Sequence, residues 1–321
     1  MNRSIARMVA VLGSVAAVLA GIASAAGVLL RGDLQTTEFT TVRGEVVPMV
    51  TDGIYRFNAE GIVAEGIGWD LVTLLVVVPA TIVTLALLWR GSFRAVLVAA
   101  GLLAYLCYQS AQYAVYWALG PLFPVYIATL ALSVSALGLL VYGLDIDGLR
   151  ARVERPFPRR SVVAYGVAVV IVLTGLWLPV VVSTWGRAVV DQLQGASTLV
   201  VPVFDLGLLV PLAIFTGLAV WRMLPVGYLL ASLLLVKGAS MALAIASMLV
   251  VEASITGELA LPPLLVFSVL ALVSLALGAR ALRSIEFVEP RSTLGSAQRA
   301  VQPPSTMSVV PVTSDAAGEA R

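Results

Sequence analysis

Apolar residues run almost unbroken through eight stretches, at about 8–30, 70–89, 95–117, 121–143, 161–183, 200–221, 226–251 and 260–282. Charged residues gather in the gaps between them. Each stretch is close to the roughly 20 residues that carry a helix across a bilayer. The pattern predicts an all-α, polytopic transmembrane bundle of eight spans over 1–283, with the lipid bilayer as its surroundings.

The arginines sort the gaps into two kinds. Arg3 and Arg7 precede span 1, Arg90 and Arg94 fill the 2–3 gap, and Arg150, Arg152, Arg155, Arg159 and Arg160 crowd the 4–5 gap. Arg222 opens the 6–7 gap, and Arg280 and Arg283 close span 8. The alternate gaps hold Arg31, Arg43, Arg56 and Arg187, diluted by carboxylates from Asp33 to Glu258. By the positive-inside rule both termini are cytoplasmic. Ala23-Ser24-Ala25 resembles a signal-peptidase site, but the run from Met8 to Leu30 is long enough to span, so span 1 is read as an uncleaved anchor.

The external segment 31–69 carries TTEFTTVRGEVVPMV and GIYRF, parted by the turn signal Thr51-Asp52-Gly53, which predicts a small hairpin between spans 1 and 2. DIDGLRARVERPFPRR, in the 4–5 gap, reads as a topology-setting arginine cluster, with a short basic surface helix as the alternative. The tail 284–321, rich in Ser, Pro, Thr and Ala, reads as disordered.

Spans 2 and 6 end on related strings, PATIVTLALLWR (79–90) and PLAIFTGLAVWR (211–222), at an offset of 132. Spans 4 and 8 contain LALSVSALG (130–138) and LALVSLALG (270–278), at an offset of 140. Equivalent placement in each set of four spans predicts a parallel 4+4 repeat with halves at about 1–150 and 151–283. On this alignment Lys237 falls opposite Tyr105.

Composition narrows the chemistry. Charged residues are 12% of the chain and mean hydropathy is +1.00, with a net charge of +2 that offers a nucleic acid no electrostatic footing. There is no histidine and one cysteine, Cys107, which excludes histidine-ligated haem and zinc, Ser-His-Asp triads and an intrachain disulfide. No cofactor is expected. The only lysine, Lys237, lies inside span 7 in LLLVKGASM. A charge there costs roughly 2.5–3.5 kcal/mol on insertion scales and marks a site by default.

From the 1.5 Å rise per residue, Lys237 should sit about 16 Å from the inner end of its span and Asp205, in span 6, about 25 Å. Tyr105, Tyr108, Gln109, Gln112 and Tyr116 make one face of span 3 polar at overlapping heights. These residues predict an outward-opening pocket between spans 3, 6 and 7 for a small ionic or zwitterionic solute. The alternative is a structural Lys–Asp pair in a sensor or assembly protein, its height gap of about 9 Å calling for a bridge. Asp70, in GIGWDLVTL, is read as the N-cap of span 2 or an outer gate. An intramembrane enzyme ranks lower: the YD and GxGD signatures of aspartyl proteases are missing, and Lys237 with Ser240 is a weak Ser-Lys dyad. A retinal Schiff base at Lys237 ranks lower still, for want of the aspartate and arginine pattern of microbial rhodopsins.

The stretches DGIYRF, GWDLVTL, FDLGLLVPL and LLLVKGASM resemble those of a group of uncharacterised bacterial multi-span membrane proteins. That resemblance implies a bacterial inner-membrane protein with this eight-span plan. It brings no activity, substrate or cofactor.

Overall fold

In hydrocarbon no water can satisfy a backbone N–H or C=O, so each apolar run must close its hydrogen bonds internally, as a helix does. The computed structural model describes residues 1–153, 156–185 and 193–285. Eight of its helices are long and apolar enough to cross a membrane: α1 (Arg3–Leu29), α2 (Glu60–Trp89), α3 (Phe93–Tyr116), α4 (Phe123–Gly143), α5 (Arg159–Ser183), α6 (Val200–Trp221), α7 (Pro225–Thr256) and α8 (Leu261–Arg283). Arg155, Arg187, Asp191 and the tail from 286 lie outside the described residues.

Local chemistry sets the helix ends. The Asn2 side chain accepts from Ser4 N at 3.0 Å, and Ser92 Oγ accepts from Ala95 N at 3.4 Å, each satisfying an orphan donor of a first turn. Proline occupies the first turn of α4, α7 and α8, where its missing N–H costs nothing. Gly257, at φ 81°, ends α7 in the left-handed conformation.

Two helices widen at equivalent places. In α2, Thr73–Val77 forms a π-helical turn closed by Val78 N–H to Thr73 O, just before Pro79. In α6, Asp205–Leu209 does the same, closed by Val210 N–H to Asp205 O, just before Pro211. A proline removes its own donor and crowds the carbonyl four residues back, and one wider turn relieves both. The two turns fall 132 positions apart.

Small residues set how closely the helices pack, since lipid offers no hydrophobic drive for helix association. The buried face of α1 is Gly13, Ala16, Ala17, Ala20, Ala23, Ser24 and Gly27, after Val9 and Ala10. It lies against α2 and α4. α3 and α7 cross at the centre, with Gly101 set against the Val236 side chain. α5, α6 and α8 turn Ile171, Leu208 and Leu272 outward. At one end, Arg7 lies over the Trp89 ring at 5.5 Å and Arg159 over Trp221 at 4.6 Å. Those tryptophans end α2 and α6 and are also 132 positions apart.

Three sequence expectations change. α2 begins at Glu60, ten residues before the expected start, because Gly66 and Gly68 in EGIVAEGIGW are packing residues: Gly66 meets the Trp117 ring and Gly68 the α7 backbone at Met248. Asp70 is therefore inside the helix, whose N-cap is Ala59, and does not cap it. The hairpin pairs Thr36–Thr40 (β1) with Val46–Val50 (β2), antiparallel with Thr36 opposite Val50, so it turns at Gly44 (φ 83°) and not at Thr51-Asp52-Gly53. That latter signal does form a turn. Asp52 accepts from Asp33 N at 2.6 Å and Gln35 N at 2.9 Å, Gly53 takes φ 70°, and the chain doubles back to put Tyr55 into the bundle. In the 4–5 gap the described residues form one short 3-10 turn, Asp147–Arg152.

Candidate functional site

Asp205 opens the π turn of α6 and is buried. Tyr108, from α3, donates to its Oδ1 at 2.5 Å, and Trp177 Nε1, from α5, donates to its Oδ2 at 2.7 Å. Gln112, one turn along α3, donates through Nε2 to the Tyr108 hydroxyl at 3.0 Å. Its Oε1 is buried with no hydrogen-bond partner among the described residues.

Lys237, only 4% exposed, comes from α7 and places Nζ 3.9 Å from the centroid of the Tyr108 ring. Among the described residues no carboxylate lies within 4.0 Å of it. The expected height gap is thus bridged by a side chain: the Tyr108 ring face receives the cation, and its hydroxyl reaches the carboxylate. A desolvated cation–π contact is worth about 2 kcal/mol or more. Lys237 also lines a cleft of about 60 Å³ between α5, α6, α7 and α8, whose walls are otherwise almost wholly apolar, among them Leu173, Leu209, Met241 and Phe267. Gly238, beside it, lets the Tyr165 hydroxyl and Ser274 Oγ come close.

The rest of the span-3 stripe goes elsewhere. Thr73, on α2, holds Tyr105 OH at 2.8 Å and accepts from Gln109 Nε2 at 2.8 Å, while donating to Trp69 O at 3.0 Å. Tyr116 packs beside Val47, Ala59 and Ile62 under the hairpin. Of the seven residues expected at one pocket, Lys237, Asp205, Tyr108 and Gln112 come together; Tyr105, Gln109 and Tyr116 do not. Position 105 nonetheless meets position 73 as 237 approaches 205, the second pair lying 132 positions after the first.

A second carboxylate site lies beyond that Thr73 junction. Asp70, 1% exposed, receives Tyr55 OH in a short hydrogen bond and Tyr113 OH at 3.1 Å, with Ser24 as a further hydrogen-bond partner. Burial first, and Asp70 second, hold the Tyr55 phenol well above its ordinary pKa, so it stays a donor. Gly27 of α1 is set against the Tyr55 hydroxyl and Asp70 Oδ2, where a Cβ would collide with both.

Sequence reasoning missed Tyr55, Tyr113, Thr73, Ser24 and Trp177. Tyr113 sits eight residues beyond Tyr105 on α3, a helical spacing that could have found it. Trp177, in an apolar run and paired only through the fold, carries no signal.

Eight apolar spans around buried polar clusters fit a multi-pass helical membrane protein. No protein family, curated protein or solved structure matches the chain.

Proposed function

We propose that this chain is a permease-like membrane protein that binds a small ionic or zwitterionic solute through Lys237. One observation carries the reading: a buried ammonium with no carboxylate within 4.0 Å among the described residues, resting on the Tyr108 ring and facing a cleft to which it brings the one cation among the described lining residues. Leaving a buried charge without a hydrogen-bonded counter-ion is costly. An anionic group in the cleft would remove that cost, and the apolar walls would take the rest of the solute. Asp205, held by Tyr108 and Trp177, fixes the ring that presents the lysine.

The architecture supports the same reading. Matching π turns, matching arginine–tryptophan contacts and the related strings at an offset of 132 favour a parallel 4+4 repeat, a plan found among transporters. The arginine distribution favours the hairpin outside and both termini in the cytoplasm, and the resemblance carried by DGIYRF, GWDLVTL, FDLGLLVPL and LLLVKGASM favours a bacterial inner membrane. A second reading, a structural Lys–Asp pair in a sensor or assembly protein, draws on both Asp205 oxygens already having donors.

Accessibility decides between them. In a Cys107→Ser background, Lys237→Cys is exposed to a membrane-impermeant thiol reagent in intact cells. Labelling that falls when Leu209, across the cleft, is replaced by Trp supports the solute site. A folded protein that resists the reagent from both sides of the membrane would leave only the structural pair.

A further inference from the structure

A small cavity beside Asp70 is built quite differently from the Lys237 cleft. It encloses about 10 Å³ between α1, α2, α3 and α4, with Ser24, Asp70, Gln109, Ser110, Tyr126 and Thr129 on its walls. That is about the room one water-sized particle needs.

The directions of the surrounding hydrogen bonds decide what its oxygens can offer. Ser110 Oγ donates to Leu106 O at 2.6 Å, and Thr129 Oγ1 donates to Val125 O at 2.8 Å. Both hydroxyls have thus used their protons on their own helices and keep lone pairs. Gln109 donates one amide N–H to Thr73, and its side-chain carbonyl oxygen is an acceptor. The two Asp70 oxygens each accept one tyrosine hydroxyl and Ser24 supplies a third donor, which still leaves the carboxylate an acceptor position. The Tyr126 hydroxyl lines the same space, 8% exposed, with the Tyr55 hydroxyl close by; among the described residues it completes no hydrogen bond of full geometry.

Charge fixes the valence. The ionisable groups around Asp70 are the phenols of Tyr55, Tyr105, Tyr113 and Tyr126, from the post-hairpin turn, α3 and α4. Asp70 is the one carboxylate on the cavity wall, and no described cluster of three His, Cys, Asp or Glu exists to hold a divalent ion. Hard cations take oxygen ligands. One formal negative charge with neutral oxygens around a water-sized space matches one positive charge.

We propose that this cavity binds a monovalent cation of sodium's size, held by Asp70, Ser110, Thr129 and Tyr126. The site shares no residue with the Lys237 cleft and does not depend on the solute reading.

The test is thermal unfolding of the purified full chain in detergent, titrated with sodium chloride against choline chloride at equal ionic strength. A ligand that binds only the folded state raises the melting temperature with concentration. The expected result is a rise that saturates with sodium and is absent with choline. It should vanish in Asp70→Asn. Should Asp70→Asn fail to fold, Thr129→Val keeps the shape, removes one oxygen ligand, and should raise the half-saturating sodium concentration about tenfold. An identical response to sodium and choline would overturn the site. So would a sodium-specific rise that Thr129→Val leaves unchanged.

Discussion

Asp70 and Asp205 are both buried aspartates beside a π turn, and each accepts aromatic donors, yet their surroundings differ in kind. Asp205 has an ammonium on the far face of its tyrosine partner, so its cluster contains both signs of charge. Asp70 has only hydroxyl groups around it, and one of them, on Tyr55, is delivered by a turn outside the spans. The wall beside Lys237 is mostly apolar and its cleft the larger, whereas that beside Asp70 carries several side-chain oxygens and has room for one small particle. The same helical device thus carries two carboxylates in different settings: one shares its cluster with a fixed internal cation across Tyr108, the other faces a space open to an external one.

The comparison breaks most sharply at Asp205. Asp205→Ala strands Lys237 and frees Tyr108, and should cost about 3–5 kcal/mol in unfolding measured in detergent. Lys237→Met combined with Asp205→Asn should recover most of that loss, because two buried charges leave together. If the double variant is no more stable than Asp205→Ala, the lysine and the aspartate are not coupled through Tyr108. At the other carboxylate, Tyr55→Phe removes one donor and should cost about 1.5–3 kcal/mol. It should also speed proteolysis at the hairpin, which a purely local loss would not do.

Gly27→Ala sharpens the contrast at slightly smaller scale. A methyl there meets Asp70 and Tyr55 together, for an expected loss of about 1–3 kcal/mol. Gly175→Ala, at a position exposed in α5, should be neutral or stabilising by up to about 1 kcal/mol in the same assay. A small effect is likewise expected for Trp177→Phe: an aromatic ring stays, one hydrogen bond to Asp205 goes, and about 1 kcal/mol is lost from a half-buried contact.

The spans were legible because hydrocarbon imposes one rule on every residue, so Leu, Val and Ala runs map directly onto helices. α2 was the exception: Glu60, Glu65 and the glycines lower its hydropathy, although Gly66 and Gly68 serve packing. At the site, Lys237 and Asp205 stood out as charges in apolar runs. Tyr108 and Gln112 followed from helical spacing, but that spacing could not say that Tyr105 and Gln109 turn to Thr73. The role of Asp70 was misread as a cap because its partners, Ser24, Tyr55 and Tyr113, come from three separate segments. Trp177 was invisible, since an indole in a span differs from its neighbours only through the carboxylate it meets.

The turn that carries Tyr55 has a consequence for biosynthesis. Ribosomes deliver the chain from its N-terminus, and Ser24 and Tyr55 both precede Asp70. When Asp70 leaves the translocon, two of its partners have already been made, and α1 with the post-hairpin turn can receive it before α3 exists. Tyr108 and Trp177 likewise precede Asp205, and Lys237 arrives after all three. Each costly group therefore enters the bilayer after some of its partners, into a partly assembled cradle, and the order of the sequence acts as its own insertion schedule.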